Sequence, residues 1–393
     1  MNKQKQSCCC GDEKETAPSC GCSAEKPAEE KAECSCGGPS KEITEFRTFC
    51  TSGSLKTTVG KVDVVPSKLC ITDLFGNFLV RFGINRNNHA VKTGLYAVGA
   101  PDKKSPVLVS ANYKMSFDAL RKELSGINAW ILVIDSKGVN VWCAAGKGTF
   151  GTEELVRRIK AVKLDKLVEK RELIVPQLGA PGVEAHLVRK GSGFKVIFGP
   201  VEASDIKAFL DSGMKATEAQ RTVTFGLLKR LEVTGIEFVT AMQIMLGVSL
   251  AAVVAASFTK TGFSAAAGFG TAAIFILALL IAALSATVIP AALLPVIPGR
   301  MFSVKGAIAG FVTSGIFVTL THLSPLTASS IVLLSSALAS FVFMNYTGTS
   351  TFTSLTAVRK EINISVPFMI AAAVIGFTLQ IIDFVQKGAI KWN

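Results

Sequence analysis

Charge is scarce in this chain. Asp, Glu, Lys and Arg make up 18% of its 393 residues, against about 25% in an average soluble protein. Histidine is rarer still: His89, His186 and His322 are the only three, and none stands beside a plausible nucleophile. That excludes a Ser/His/Asp triad and a histidine-rich metal site. No apolar stretch follows the opening Met-Asn-Lys-Gln-Lys, so no secretory or lipoprotein signal is expected and the non-membrane part is expected in the cytoplasm, where thiols stay reduced. The net charge of +13 accompanies 49% apolar residues and a mean hydropathy of +0.43. Nucleic acid is therefore not an expected partner, whereas membrane lipid is.

Ten cysteines are present, placed lopsidedly. Seven fall in the first forty residues (Cys8, Cys9, Cys10, Cys20, Cys22, Cys34 and Cys36), while Cys50, Cys70 and Cys143 stand alone. Residues 1–45 carry almost no large apolar side chain and cannot offset their ordering entropy, so a disordered tail is expected. Its Cys-x-Cys pairs either chelate a soft metal or belong to a redox-vulnerable leader. The spacing matches no structural zinc site and no iron–sulfur cluster.

Residues 46–221 alternate short apolar runs with amphipathic stretches. Leu95–Gly99, Val107–Ala111, Trp130–Asp135, Val139–Trp142, Leu173–Pro176 and Phe194–Phe198 have the length and pattern of strands. Ser116–Leu124, Thr152–Val162 and Ala203–Leu210 have helical spacing; in the middle one Leu155, Ile159 and Val162 share a face, and Thr152 offers a hydroxyl cap before Glu153 and Glu154. This alternation predicts an α/β, Rossmann-like domain with an open, mostly parallel sheet, whose ligand lies beyond the carboxyl ends of the strands.

From residue 238 onward, apolar runs at 238–257, 267–290, 304–322, 326–345 and 366–385 are each near the ~20 residues that span a bilayer. An all-α transmembrane domain of five helices is expected over 238–393. Residues 222–237 form a linker whose apolar Phe225–Leu231, with Lys229 and Arg230, suits an interfacial helix. Arg300, Lys305, Arg359 and Lys360 place the second and fourth loops and the α/β domain in the cytoplasm, with the C-terminus outside. His322 and Asp383 lie at helix ends, so the spans are expected to anchor rather than transport. Asn345–Ser354 is either a solvated loop or a docking segment.

Chemistry concentrates in Asn140-Val-Trp-Cys-Ala-Ala-Gly-Lys-Gly-Thr149. Gly146-Lys147-Gly148-Thr149 suggests a phosphate loop, but the Gly that this motif needs at position 141 is Val. Gly146, Gly148 and Gly151 have dinucleotide-loop spacing, yet no acidic residue ends a second strand about twenty residues on. Cys143 remains. Spacing alone favours a buried, inert thiol, because Cys behaves as a small hydrophobe. The other reading is that the small Ala144, Ala145, Gly146 and Gly148 admit a flat ligand and that a nearby helix N-terminus stabilises a thiolate.

The decapeptide resembles the signature of the membrane-bound corrinoid proteins of microbial mercury methylation, the HgcA family. The likeness extends through Val109–Phe117, Trp130–Gly138, Gly148–Leu155 and Val175–Val183, covering roughly residues 70–220, and through the five expected spans. The domain also resembles the corrinoid domain of the corrinoid iron–sulfur protein of the acetyl-CoA pathway, which lacks Trp-Cys-Ala-Ala-Gly-Lys and carries its own cluster cysteines. The Cys-rich tail departs from the family pattern.

The resemblance implies that the motif is a cap helix under a base-off, cobalamin-type corrinoid, with Cys143 as catalytic residue and lower cobalt ligand. Asn140, Val141, Trp142, Ala144, Ala145, Gly146 and Lys147 would shape the cap, and Ala111, Asn112, Gln177 and Gly179 would contact ring or tail. It implies a methyltransferase: a methyltetrahydrofolate-linked donor supplies the methyl group, methyl-Co(III) passes it to thiol-bound Hg(II) as a carbanion equivalent, and a separate ferredoxin-like [4Fe–4S] partner, HgcB, restores the cobalt. A membrane-tethered methyl carrier of one-carbon metabolism is the alternative, and a metal-thiol sensor built on the tail a third.

Overall fold

The structure is a computed structural model that describes residues 51–259, 262–264, 277, 280–321, 323–346 and 355–386. The Cys-rich tail, Cys50, His322 and most of Asn345–Ser354 lie outside the described residues.

Seven strands form one sheet: β1 (Gly53–Thr57), β2 (Gly60–Val64), β3 (Gly94–Val98), β4 (Val107–Ala111), β5 (Ala129–Ile134), β6 (Glu172–Val175) and β7 (Lys195–Phe198), in the order β1-β2-β3-β5-β4-β6-β7. The β5–β4–β6–β7 half is parallel throughout. Here the expected open parallel sheet is found, extended by strands that make the whole sheet mixed, because β3 runs antiparallel to β5 and β1 antiparallel to β2. Strand direction is set by the connections, which local hydropathy does not report.

Every residue of β4 and β5 is buried, as expected of strands covered on both faces. Alternation divides them between two cores. Val107, Val109, Trp130, Leu132 and Ile134 pack on one face with Leu155, Ile159 and Val188, which come from α4 (Thr152–Ala161) and α5 (Ala185–Ser192). Leu108, Ile131 and Val133 pack on the other with Phe117, Leu124, Ile206 and Phe209, the side of α2 (Lys114–Glu123) and α6 (Ile206–Asp211). A fully buried side chain of this size contributes about 1.5–3 kcal/mol.

Two local expectations are corrected. Val139–Trp142 is not a strand: after a loop, residues 141–146 form the helix α3 (Val141–Gly146), because Asn140 caps it. Thr152 is not the cap of α4; Gly151 holds that position, and the Thr152 hydroxyl instead accepts from the Glu184 amide at 2.9 Å.

The first helix, α1 (Ile71–Arg81), was not foreseen. It is held to α2 by a buried quartet. Lys114 Nζ lies 2.6 Å from both Asp73 and Asp118, and Arg121 lies 2.6 Å from Asp73 and 2.8 Å from Asp118. Burial alone would push the Asp73 carboxyl up, but hydrogen bonds from Lys114, Cys70 and Arg121 outweigh it and hold it well below the usual carboxylate range.

After α7 (Glu218–Arg221), the linker forms the short helix α8 (Leu227–Glu232). C-terminal to it, three helical stretches among the described residues are long and apolar enough to cross a membrane: Phe302–Thr319, Pro325–Asn345 and Ala357–Asp383. That is fewer than the five expected. The 238–257 run coincides with the 24-residue helix α9 (Thr234–Ser257), while much of 267–290 lies outside the described residues. Gly306 and Gly310 face the backbone of Ala339 and Ser335 at distances no Cβ would permit, the close small-residue packing of helices in lipid. Asp383 is buried and accepts from the hydroxyls of Ser324, at 2.6 Å, and Thr327, at 2.8 Å, so it ties two helices together.

Candidate functional site

The strands β4, β5 and β6 are parallel and adjacent, so the segments leaving their carboxyl ends gather at one edge of the sheet. These are Asn112, the loop 135–140 leading into α3, and Gln177–Gly179. The short turn Gln177–Gly179 packs directly on α3.

Asn112 organises this edge. It is 1% exposed, and its Oδ1 accepts from the Ser136 amide (3.0 Å), the Ser136 hydroxyl (2.8 Å) and the Gly138 amide (3.0 Å). Its Nδ2 donates to Asp135 at 3.2 Å. The Ser136 hydroxyl also lies 2.6 Å from the Val139 carbonyl, so its single proton is shared between the two acceptors. One buried carboxamide thus satisfies a tight loop whose Lys137 and Gly138 both adopt positive φ. Burial pushes the Asp135 carboxyl up, but the Lys137 amide and ammonium outweigh it, with help from Arg158, and leave it below its ordinary value.

The loop delivers Asn140 to the N-cap of α3, where its side chain accepts from the Cys143 amide at 2.9 Å. Helical periodicity then sorts the motif into two faces. Val141, Ala144 and Ala145 are buried, while Trp142, Gly146 and Lys147 are exposed and Cys143 is half-buried. Among the two readings of Cys143 from spacing, the core thiol is the one the structure does not support: the side chain stands at the boundary of the outward face. Gly146-Lys147-Gly148-Thr149 is no phosphate loop either. Gly148, at φ +77°, ends the helix, its amide donating to Ala145 and that of Thr149 to Ala144, which is how helices commonly stop at glycine.

The remaining expected residues divide by environment. Ala111 is fully buried in the sheet. Gly179 lacks a side chain for packing reasons, since a Cβ there would lie 2.6 Å from the Phe150 ring. Gln177 keeps a buried Oε1 without a hydrogen-bond partner among the described residues, an acceptor beside α3 that a ligand N–H or O–H would satisfy. Two contributors were not anticipated. Gly182 lies beneath α3, where a Cβ would meet the Phe150 carbonyl and lie 3.1 Å from Ala145 Cα. Tyr113 is close enough to feel the thiol: burial pushes its phenol up, Arg86 and Arg81 oppose the rise, and Cys143 adds to it. Tyr113 directly follows β4 and Asn112, and that proximity to a strand end was the available signal.

The outward face fits a flat ligand approaching from one side. A Cβ at Gly146 or at Gly148 would meet nothing within 4 Å, and Trp142, at 44% exposure, offers an aromatic edge. Among the described residues, no three His, Cys, Asp or Glu side chains converge as a metal cage.

An α/β domain with a half-buried thiol on a short helix at its strand ends is the class that fold and site define. Residues 80–210 match the family described as CO dehydrogenase/acetyl-CoA synthase delta subunit. Over 121 residues the chain is 33% identical to the corrinoid/iron-sulfur protein large subunit of Moorella thermoacetica, covering 30% of this chain and 27% of that protein. It is 31% identical over 128 residues to the acetyl-CoA decarbonylase/synthase complex subunit gamma of Methanopyrus kandleri (32% and 27%) and 28% identical over 130 residues to that of Archaeoglobus fulgidus (33% and 27%). The chain thus spans about a quarter of the length of these relatives.

Proposed function

We propose that this chain is a membrane-tethered corrinoid protein of methyl transfer, of the kind used in one-carbon metabolism, whose cobalt Cys143 would ligate. The carrying observation is the placement of Cys143 on the open face of α3, above strand ends in a domain similar to that of corrinoid/iron-sulfur protein large subunits. When bound, the corrinoid would supply a cobalt able to accept and release a methyl group. The chain's residues do the rest. Asn140 fixes the backbone of Cys143, Asn112 fixes the loop that carries Asn140, and Gly146 and Gly148 leave room for a macrocycle against the backbone. Trp142 would border the macrocycle, Lys147 would meet its polar periphery, and Gln177 Oε1 would accept a hydrogen bond from it.

A second reading, that inorganic Hg(II) is the methyl acceptor, is favoured by the same thiol. Mercury(II) accepts a methyl group together with both bonding electrons. The Cys143 thiolate would donate density toward the cobalt and so favour release of the methyl group as a carbanion equivalent; ligand identity is how proteins tune such a cofactor. The oxidised product requires two electrons, which the reading assigns to a separate ferredoxin-like [4Fe–4S] protein, and a methyltetrahydrofolate-linked protein is proposed as methyl donor. The positive-inside rule, applied to Arg300 before the helix Phe302–Thr319 and to Arg359 and Lys360 in the first turns of Leu355–Gln386, would put the α/β domain on the cytoplasmic side, whereas Lys305, expected in a loop, is buried within the helix Phe302–Thr319.

The test is anaerobic. Wild type and Cys143→Ala are loaded with methylcorrinoid and given thiol-bound Hg(II), and loss of the methyl–cobalt absorption is followed alongside methylmercury. Stoichiometric transfer in wild type that collapses in the variant is expected. Corrinoid binding without mercury-dependent demethylation removes the second reading and leaves the carrier; absence of corrinoid binding overturns both.

A further inference from the structure

Helix α1 is amphipathic the wrong way round for a helix on a soluble domain. Its inner face is largely polar: Asp73 joins the ionic quartet, and Asn77 donates to Asp118 at 2.9 Å and pairs with His89 at 2.8 Å, with Val80 the one side chain that packs into the hydrophobic core. Its outer face is Ile71, Leu74, Phe75 and Phe78, which are 83%, 55%, 61% and 55% exposed. The spacing i, i+3, i+4, i+7 makes them one continuous stripe. Phe78 and Phe82 extend it, with ring centroids 5.0 Å apart. A contiguous apolar patch of this kind marks a surface that something covers.

The place of the helix says what covers it. The Arg81 end of α1 is bound to the junction of α8 and α9. Arg81 pairs with Glu232 at 2.8 Å, Gly235 approaches the Arg81 carbonyl so closely that no side chain fits there, and Gly83 lies against Ile236. Helix α8 lies across one end of the helical bundle: the Arg230 carbonyl accepts from Tyr346 at 2.7 Å, and its guanidinium donates to the Ala292 carbonyl at 3.3 Å. Its own Leu227 and Leu228 are exposed. The apolar stripe is therefore continuous with the level at which the chain enters the bundle. Lys68 precedes α1, Arg81 ends it and Arg86 follows it, as suits an anionic surface.

We propose that α1 is an interfacial membrane helix: Ile71, Leu74, Phe75 and Phe78 insert into the headgroup–acyl boundary of the leaflet entered by α9, so that the α/β domain is held against the bilayer at a second point. The proposal rests on the membrane-anchored reading of the C-terminal helices. The full chain, reconstituted in nanodiscs of phosphatidylethanolamine and phosphatidylglycerol with a photoactivatable acyl-chain lipid, is irradiated, digested and mapped by mass spectrometry. The expected result is lipid adducts on the peptide containing residues 71–82 as well as on 302–319 and 325–345, with none on 53–64, and loss of the 71–82 adducts alone in the double variant Phe75→Asp, Phe78→Asp. Adducts on the C-terminal helices without any on 71–82 overturn this proposal and leave the anchor intact. So do crosslinks from α1 to a second copy, or protection of α1 that follows corrinoid rather than lipid. Absence of adducts from every helix overturns the anchor itself.

Discussion

The side-chain carbonyl of Asn140 accepts a hydrogen bond from the backbone amide of Cys143 at 2.9 Å, so the residue that starts α3 also fixes the residue proposed to bind cobalt. Replacing it by Ala removes a helix cap, at a cost of about 1 kcal/mol, and releases the Cys143 backbone. Asn140→Ala is expected to lower thermal stability modestly and to shift the absorption bands of the bound corrinoid toward those of Cys143→Ala. Asn140→Asp, which can still cap, should restore both. A stability loss without any spectral shift would separate capping from ligand placement.

Two glycines of the site should behave in opposite ways. Gly182→Ala drives a Cβ into the Phe150 carbonyl and Ala145; overpacking of this kind costs about 1–3 kcal/mol, and the full chain in detergent should unfold at a lower temperature. Gly146→Leu projects into open space and should leave unfolding unchanged while it weakens corrinoid binding at least tenfold in an equilibrium titration. Unchanged affinity would show that the ligand does not lie on this face.

Trp142 offers a direct optical report. Of the three tryptophans, Trp130 is buried with its indole N–H on the Asp102 carbonyl, and Trp392 lies outside the described residues. Corrinoid binding should quench emission in wild type, and Trp142→Phe should remove most of the quenching while retaining the fold. Equal quenching in both proteins would move the ligand elsewhere.

Acid should weaken the α1–α2 junction. The Asp73 carboxyl is held below its ordinary value of 3.8, so its stabilising effect is complete above that pH and is lost as the pH falls from there through the folded-state value. Hydrogen exchange of residues 71–81, measured on the full chain between neutral pH and pH 3 with correction for intrinsic rates, should show protection falling only in the acid range. Asp73→Asn should lose protection at neutral pH already, because unpairing a buried ion costs about 3–5 kcal/mol.

Much of this architecture was legible in the sequence. The apolar runs of β4 and β5 announce strands buried on both faces, and the Leu155/Ile159 face of α4 packs as its spacing requires. The cap helix misleads a period-based reading, because Val139 to Trp142 alternates like a strand; the corrective signal is Asn140, an N-cap residue before two alanines. Asn112 was expected beside the ligand, whereas its side-chain bonds show it holding the loop, a distinction that depends on contacts 24 and 26 residues away. The antiparallel direction of β3 is a matter of connection, not of composition. Helix α1 escaped because its apolar residues point outward, against the assumption on which hydropathic periodicity rests.

That inversion has a consequence for how the domain is assembled. The orientation of α1 is set from within by four charges that neutralise one another, two acids against two bases, together with the buried Val80, and not by the apolar stripe Ile71, Leu74, Phe75 and Phe78. The domain can therefore adopt its native arrangement before it meets a bilayer, and lipid acts on a finished surface. Folding and attachment become separate events, each open to change without disturbing the other.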